Sequence, residues 1–236
     1  MMQPSILIAM IAYLCVSVTL PIHCRAAAND NGNIEPVVAN VVQSLMARYG
    51  VPGMAVGIVM KGQSIVVDYG VASKTTLRPV TDKTLFEIGS VSKTFTATLA
   101  AYARISGALS LSDPASKYLP ILRGSAFDTV TLLHLGTHTP GGLPLQVPDD
   151  ITNDMQLMAY FRNGKPVYAP GTYRTYANPS IGMLGMIVAK SMNGDFVSVM
   201  QSTLFRGLGM KNTYLDVPRA EDENYAQGYT TTDVPA

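Results

Sequence analysis

Apolar residues return at helical spacing through Ile34 to Tyr49, at Val38, Val41, Val42, Leu45 and Met46. That spacing predicts an amphipathic helix ending at Gly50, ahead of Pro52. The pattern then changes. Met54 to Met60 and Ser64 to Tyr69 are rich in Val and Ile, and Lys61-Gly62-Gln63 between them reads as a turn, so a β-hairpin follows the helix. After Pro79 the chain becomes helices joined by long loops dense in Pro, Gly, Asp and Thr, with no internal repeat. Val91, Phe95, Leu99 and Tyr102 recur at helical spacing from Ser90 to a stop at Gly107. A further helix is predicted over Ile181 to Met192, with Pro179 pushing Asn178 into an extended conformation before it. The expected architecture is mainly helical from about Thr84 onward (84–236), set against an α/β layer begun by residues 29–83.

The first residues read differently. Ile6 to Leu20 form an apolar run broken at Pro21, and Ala26-Ala27-Ala28 offers small residues for cleavage, so 1–28 is expected to be a signal peptide, although Met1 to Ser5 carry no Lys or Arg. Both cysteines, Cys15 and Cys24, lie in that segment, and a processed chain has no thiol and no disulfide. Export to a bacterial periplasm follows as an expectation. The chain is 47% hydrophobic and 14% charged, enough to bury a core. Its formal net charge of +1, without long runs of one sign, argues against a nucleic-acid partner. No cofactor motif is present, no membrane contact is expected after cleavage, and the expected state is a monomer.

Chemistry concentrates in two places. In Gly89-Ser90-Val91-Ser92-Lys93 the serine falls in the first helical turn, and a residue three positions on shares its face, so the Lys93 amine meets the Ser90 hydroxyl while Ser92 points elsewhere. A hydroxyl needs a base to become a nucleophile, and the positive end of a helix suits an oxyanion at an attacked carbonyl. Taken alone, Ser-x-x-Lys also describes a capping serine beside a solvated lysine. In Arg174-Thr175-Tyr176-Ala177-Asn178-Pro179, an extended course turns Tyr176 and Asn178 to the same side, a phenol able to relay protons beside an amide able to donate and accept. A packed aromatic and a helix cap are the structural readings of those two residues. His134 and His138 stand four apart, but no Glu follows the first and Pro140-Gly141-Gly142 breaks the segment, which disfavours a metal hydrolase.

Ser-x-x-Lys is a mark of the serine β-lactamases and penicillin-binding proteins. With Tyr176-Ala177-Asn178 where a class A enzyme has Ser-Asp-Asn, the chain resembles class C β-lactamases. The likeness extends through Pro52-Gly53-Met54-Ala55-Val56, Leu85-Phe86-Glu87-Ile88-Gly89-Ser90, Leu111-Ser112-Asp113-Pro114, Gly141-Gly142-Leu143-Pro144-Leu145-Gln146-Val147-Pro148 and Tyr225-Ala226-Gln227-Gly228-Tyr229. Class A is disfavoured: Ser191-Met192-Asn193 sits at a helix end, and no Glu-x-x-Leu-Asn occurs. The resemblance implies a serine β-lactamase/DD-peptidase-like fold of α/β (α+β) class, a helical domain packed on an antiparallel sheet. It implies a cephalosporinase acting through a serine acyl-enzyme on a small-molecule β-lactam. Ser90 is then the nucleophile and its N–H one oxyanion donor, Lys93 and Tyr176 handle protons, and Gln146 and Asn178 contact the substrate side-chain amide.

Two departures bear on activity. Lys74, Lys83 and Lys93 each precede a Thr, but no Gly completes a Lys-Thr-Gly. Relatives carry that motif, further strands and a terminal helix beyond the position of Ala236, so the expectation is a C-terminally truncated chain with an incomplete sheet. Losing an oxyanion donor costs about 10²–10³ in rate. Relatives also typically place a tryptophan at the position of Gly164, and this chain has none. A DD-peptidase or esterase using the same Ser, Lys and Tyr, and a non-catalytic fragment, are the rival readings.

Overall fold

The computed structural model describes residues 34–230. The expected signal peptide and both cysteines therefore lie outside the described residues. In chain order the elements are α1 (Ile34–Tyr49), β1 (Gly53–Met60), β2 (Gln63–Gly70), α2 (Ser92–Ile105), α3 (Ala115–Tyr118), α4 (Leu132–Gly136), α5 (Asp154–Asn163), α6 (Asn178–Ser191) and α7 (Phe196–Val199), the last running into a π-helical turn at Met200–Phe205. Two compact units divide the described residues, one holding 34–84 together with 226–230, the other Leu85–Tyr225.

The first unit is the predicted helix and hairpin. Strands β1 and β2 pair antiparallel with Gly53 opposite Gly70 and Met60 opposite Gln63. Lys61 and Gly62 both have positive φ, 51° and 79°, the two-residue turn whose twist matches the strands. Gln227 N–H donates to the Ala72 carbonyl at 2.8 Å, and the Tyr229 hydroxyl accepts from Lys74 N–H at 2.7 Å, tying the later segment to the hairpin side. Of the apolar stripe on α1 only Val42 is buried, while Val41 and Leu45 remain exposed.

The second unit carries the main core, formed by Leu99, Leu122, Leu132, Leu135, Phe161, Met183, Leu184, Ile187 and Met200 among others. Helix α6 runs through its centre, with eight buried residues, and packs against both α2 and α4. The face of α2 differs from expectation. Val91 and Tyr102 are half exposed, and the buried stripe is Thr96, Leu99, Ala100 and Ala103. Ala100 and Ala103 belong to the main core, where larger side chains would have to displace packed neighbours. Phe95 instead meets Phe205 edge to face at 5.5 Å.

An apolar cavity of about 190 Å³ lies beside Gly164, lined by Phe127, Val130, Tyr160, Phe161 and the Pro140–Pro144 segment. No helix among the described residues is long and apolar enough to cross a membrane.

Candidate active site

The site is built on the start of α2. Gly89 adopts φ 51°, a left-handed turn that side chains resist, and feeds one 3₁₀ turn, Gly89–Val91, directly into the helix. That turn places Ser90 so that Lys93 Nζ donates to Ser90 Oγ at 2.9 Å. The Ser92 hydroxyl turns back to the Gly89 carbonyl at 2.7 Å, away from the pair as the spacing predicts. Lys93 Nζ also stands 5.0 Å from the centre of the Tyr176 ring. Hydrogen bonds from Lys93 first, and from Ser90 second, hold the Tyr176 phenol below its ordinary pKa. Ser90 and Lys93, neighbours on one helical turn, are therefore brought together with Tyr176, which lies more than eighty residues later in the sequence.

Asn178 is placed differently from expectation. It is the first residue of α6, and Ala177 before it takes the extended conformation, with φ −146° and ψ 124°. Two facts overcome the bias that Pro179 exerts on its neighbour. Asn178 N–H is satisfied outside the helix by the Leu145 carbonyl at 2.9 Å, and a proline in the first turn removes only an N–H that has no intrahelical partner. The Asn178 side chain lines an open cleft of about 550 Å³ along α2 and α6, together with Ser90, Lys93, Thr96, Ile181 and Gly182. Its Oδ1 is buried without a hydrogen-bond partner.

Gln146 lies on an exposed loop and is not among the residues lining that cleft. The loop itself is fixed at its two ends. Leu145 holds Asn178, and the Gly141 carbonyl accepts from Val167 N–H at 2.8 Å and Tyr168 N–H at 3.2 Å. Gly141 has φ 118°, and a Cβ there would fall 2.8 Å from the Tyr168 carbonyl oxygen and 2.8 Å from Pro166 Cβ.

One residue of the site was invisible to spacing arguments. His138 is buried, 6% exposed, with φ 60°. Its carbonyl accepts from Thr175 N–H at 2.9 Å and its Nδ1 accepts from Ala177 N–H at 3.2 Å, so it grips the chain on both sides of Tyr176. The two rings lie 4.7 Å apart. Burial, with the positive charges of Arg174 and Lys93, holds the His138 pKa below its ordinary value. His134 is used locally: its Nδ1 accepts from Thr131 N–H at 3.2 Å while the Thr131 hydroxyl accepts from His134 N–H, a capping box for α4. The two histidines are thus occupied by backbone groups, and no cluster of three metal-binding side chains occurs among the described residues. The signal that could have found His138 is its place one residue before Thr139-Pro140-Gly141-Gly142, where a left-handed turn brings a ring under the tyrosine.

Comparison with known proteins gives a consistent result. The family model Beta-lactamase matches residues 38–236. A β-lactamase of Pseudomonas fluorescens is 48% identical over 203 residues, covering 86% of this chain and 57% of the relative. A crystal structure of a class C β-lactamase in complex with cefoxitin superposes with a TM-score of 0.86 at 48% identity, over 88% of this chain and 58% of that one. The structure of a D-alanine carboxypeptidase from Burkholderia cenocepacia gives 0.83 at 51% identity, over 88% of this chain and 57% of that one. The chain thus spans well under two thirds of the length of these relatives, and shares with them the serine β-lactamase/DD-peptidase-like fold.

Proposed function

The chain belongs to the β-lactamase family, in its class C branch, and from that premise we propose that it carries the nucleophile half of a site that opens β-lactam antibiotics through a serine acyl-enzyme. The observation that carries this reading is the 2.9 Å bond from Lys93 Nζ to Ser90 Oγ, with the same Nζ 5.0 Å from the centre of the Tyr176 ring. In the first step the Ser90 oxygen attacks the β-lactam carbonyl and its proton passes to the Lys93–Tyr176 pair. The lactam C–N bond then breaks, and the pair returns the proton to the departing ring nitrogen, leaving an ester on Ser90. In the second step water adds to that ester with the same pair as base, and the Ser90 oxygen leaves with a proton. A phenol made more acidic by its neighbours suits both directions of transfer.

The resemblance assigns the antibiotic's side-chain amide to Asn178, which lines the cleft, and to Gln146, which is exposed on the loop that Leu145 fastens to Asn178 and would have to turn toward the bound antibiotic. The Ser90 N–H, at the positive end of α2, is one donor to the oxyanion. The site lies in the periplasm after export, where it confers antibiotic resistance.

The likeness to a D-alanine carboxypeptidase favours a second reading, in which the same acyl-enzyme forms on a D-alanyl-D-alanine peptide. One experiment separates the two. The purified chain and its Ser90→Ala variant are each supplied with a chromogenic cephalosporin and with a D-alanyl-D-alanine peptide. The β-lactamase reading predicts cephalosporin opening that is lost in Ser90→Ala. Release of D-alanine without cephalosporin turnover supports the carboxypeptidase reading, and equal rates for both proteins on both substrates refute Ser90 as nucleophile.

A further inference from the structure

We propose that His138 is a positioning residue for Tyr176: in its neutral form it holds the tyrosine at Ser90 and Lys93, and protonating it releases that hold. The inference rests on the reading of Ser90, Lys93 and Tyr176 as the reacting group. The geometry is specific. His138 contacts the segment before α6 at three points, through its carbonyl to Thr175 N–H, through Nδ1 to Ala177 N–H, and through its ring face to the phenol ring. These contacts bracket one residue, Tyr176. The nearest long-range backbone ties outside this bracket are Gly171 N–H to the Thr139 carbonyl before it and Asn178 N–H to the Leu145 carbonyl after it.

The ring has one protonation state that does this work. Ala177 N–H points at Nδ1, so Nδ1 must present a lone pair and the ring proton resides on Nε2. A second proton on Nδ1 would set two donors against each other. The charged and titratable groups facing His138 are Arg174 and Tyr176 on the segment before α6 and Lys93 on α2. Both cations oppose an imidazolium, and the buried position does the same. The neutral ring is therefore the resting state at neutral pH. Protonation, when the pH falls below the ordinary histidine value of 6.5, removes the acceptor and places a third positive charge against Arg174 and Lys93.

The backbone supports a discriminating substitution. His138 sits at φ 60°, a region asparagine tolerates and alanine resists. Asparagine Oδ1 also falls where Nδ1 lies and accepts the same N–H, yet it does not titrate. Three chains are compared: wild type, His138→Asn and His138→Ala. Two quantities are read: the second-order rate of acyl-adduct formation by a cephalosporin, from intact mass across pH, and the titration of the Tyr176 phenol, from ultraviolet difference spectra against Tyr176→Phe.

In wild type the acylation rate falls as His138 titrates, whereas in His138→Asn that acid limb disappears and the rate above neutral pH remains within about threefold. In His138→Ala the rate falls about 10²-fold at every pH, the cost of a reacting group displaced by roughly 1 Å. The Tyr176 phenol titrates alike in wild type and His138→Asn, and at higher pH in His138→Ala, because it has left Lys93 and Ser90. An acid limb retained in His138→Asn, or a Tyr176 titration unchanged in His138→Ala, overturns the proposal. If His138→Ala does not fold, the acid limb of His138→Asn decides alone. If no chain forms an adduct, the acyl-enzyme reading fails, and the proposal is judged on the Tyr176 titration by itself.

Discussion

Replacing Gly141 by alanine is the sharpest test of how the loop beside the site is held. The substitution meets two separate obstacles. At φ 118° an L side chain is outside the left-handed basin, a conformational cost on the order of 1–3 kcal/mol. The added Cβ also falls 2.8 Å from the Tyr168 carbonyl oxygen and 2.8 Å from Pro166 Cβ, one of them a backbone atom that cannot swing aside, for about 1–3 kcal/mol more. The sum is about 2–6 kcal/mol if the loop does not yield. Gly124 provides the control, since it lies in the same unit with φ 77° and would meet nothing within 4 Å. Gly124→Ala therefore carries the cost of a positive φ without any clash. Urea unfolding of both variants measures the difference, expected to be about 1–3 kcal/mol, or a midpoint about 0.5–1.5 M lower for Gly141→Ala, with unchanged slope. A loop that yields instead will carry Leu145 away from Asn178, so slower acylation then accompanies a smaller stability loss. Equal midpoints for the two variants together with an unchanged acylation rate would refute the reasoning.

Three further outcomes follow from the same structure. Leu99→Ala should cost about 2.7–5.0 kcal/mol by urea unfolding, because Leu99 is fully buried between α2 and its neighbours, while Ile105→Ala, 85% exposed on the same helix, should stay within about 0.5 kcal/mol; similar losses for both would mean that α2 buries a different face. Lys93→Ala should raise the Tyr176 phenol titration, since the Lys93 hydrogen bond is the first cause of its depression, and an unshifted ultraviolet titration would uncouple the two residues. Asp113, held below its ordinary 3.8 by the hydrogen bond from Lys117 first and from Tyr118 second, contributes stability that is present above that value and lost as pH falls through its lower folded pKa. The gap between wild type and Asp113→Asn should therefore be constant from neutral pH to about 5 and close in the acid range, whereas a gap that widens on acidification would reverse the sign.

Where local chemistry decides, the sequence was a good guide. The hairpin turn at Lys61-Gly62 and the meeting of Ser90 with Lys93 depend on neighbours a few residues away, so spacing was enough to predict them. Where packing decides, it was not. Val91 and Tyr102 fit the apolar period of α2, yet the buried stripe runs through Thr96, Leu99 and the two alanines, because burial in the core, not apolar character alone, decides the face. Asn178 was misplaced by the rule for residues before proline, which says nothing of a distant carbonyl at Leu145 that satisfies its N–H. His138 escaped for the same reason: its two acceptors serve a strand-like segment about forty residues later, and no local pattern marks that partnership. Gln146 was read from resemblance, and its side chain lies in the exposed part of the loop rather than along the cleft.

The central claim is that Ser90, activated by Lys93 and Tyr176, is the atom that bonds to a β-lactam carbonyl. Intact-mass analysis of the 236-residue chain after exposure to a slowly released cephalosporin, with peptide mapping of the product, tests it directly. The account predicts one added acyl group per chain, mapped to the peptide containing Ser90 and absent in Ser90→Ala. An adduct on another residue, or one that persists in Ser90→Ala, would contradict it.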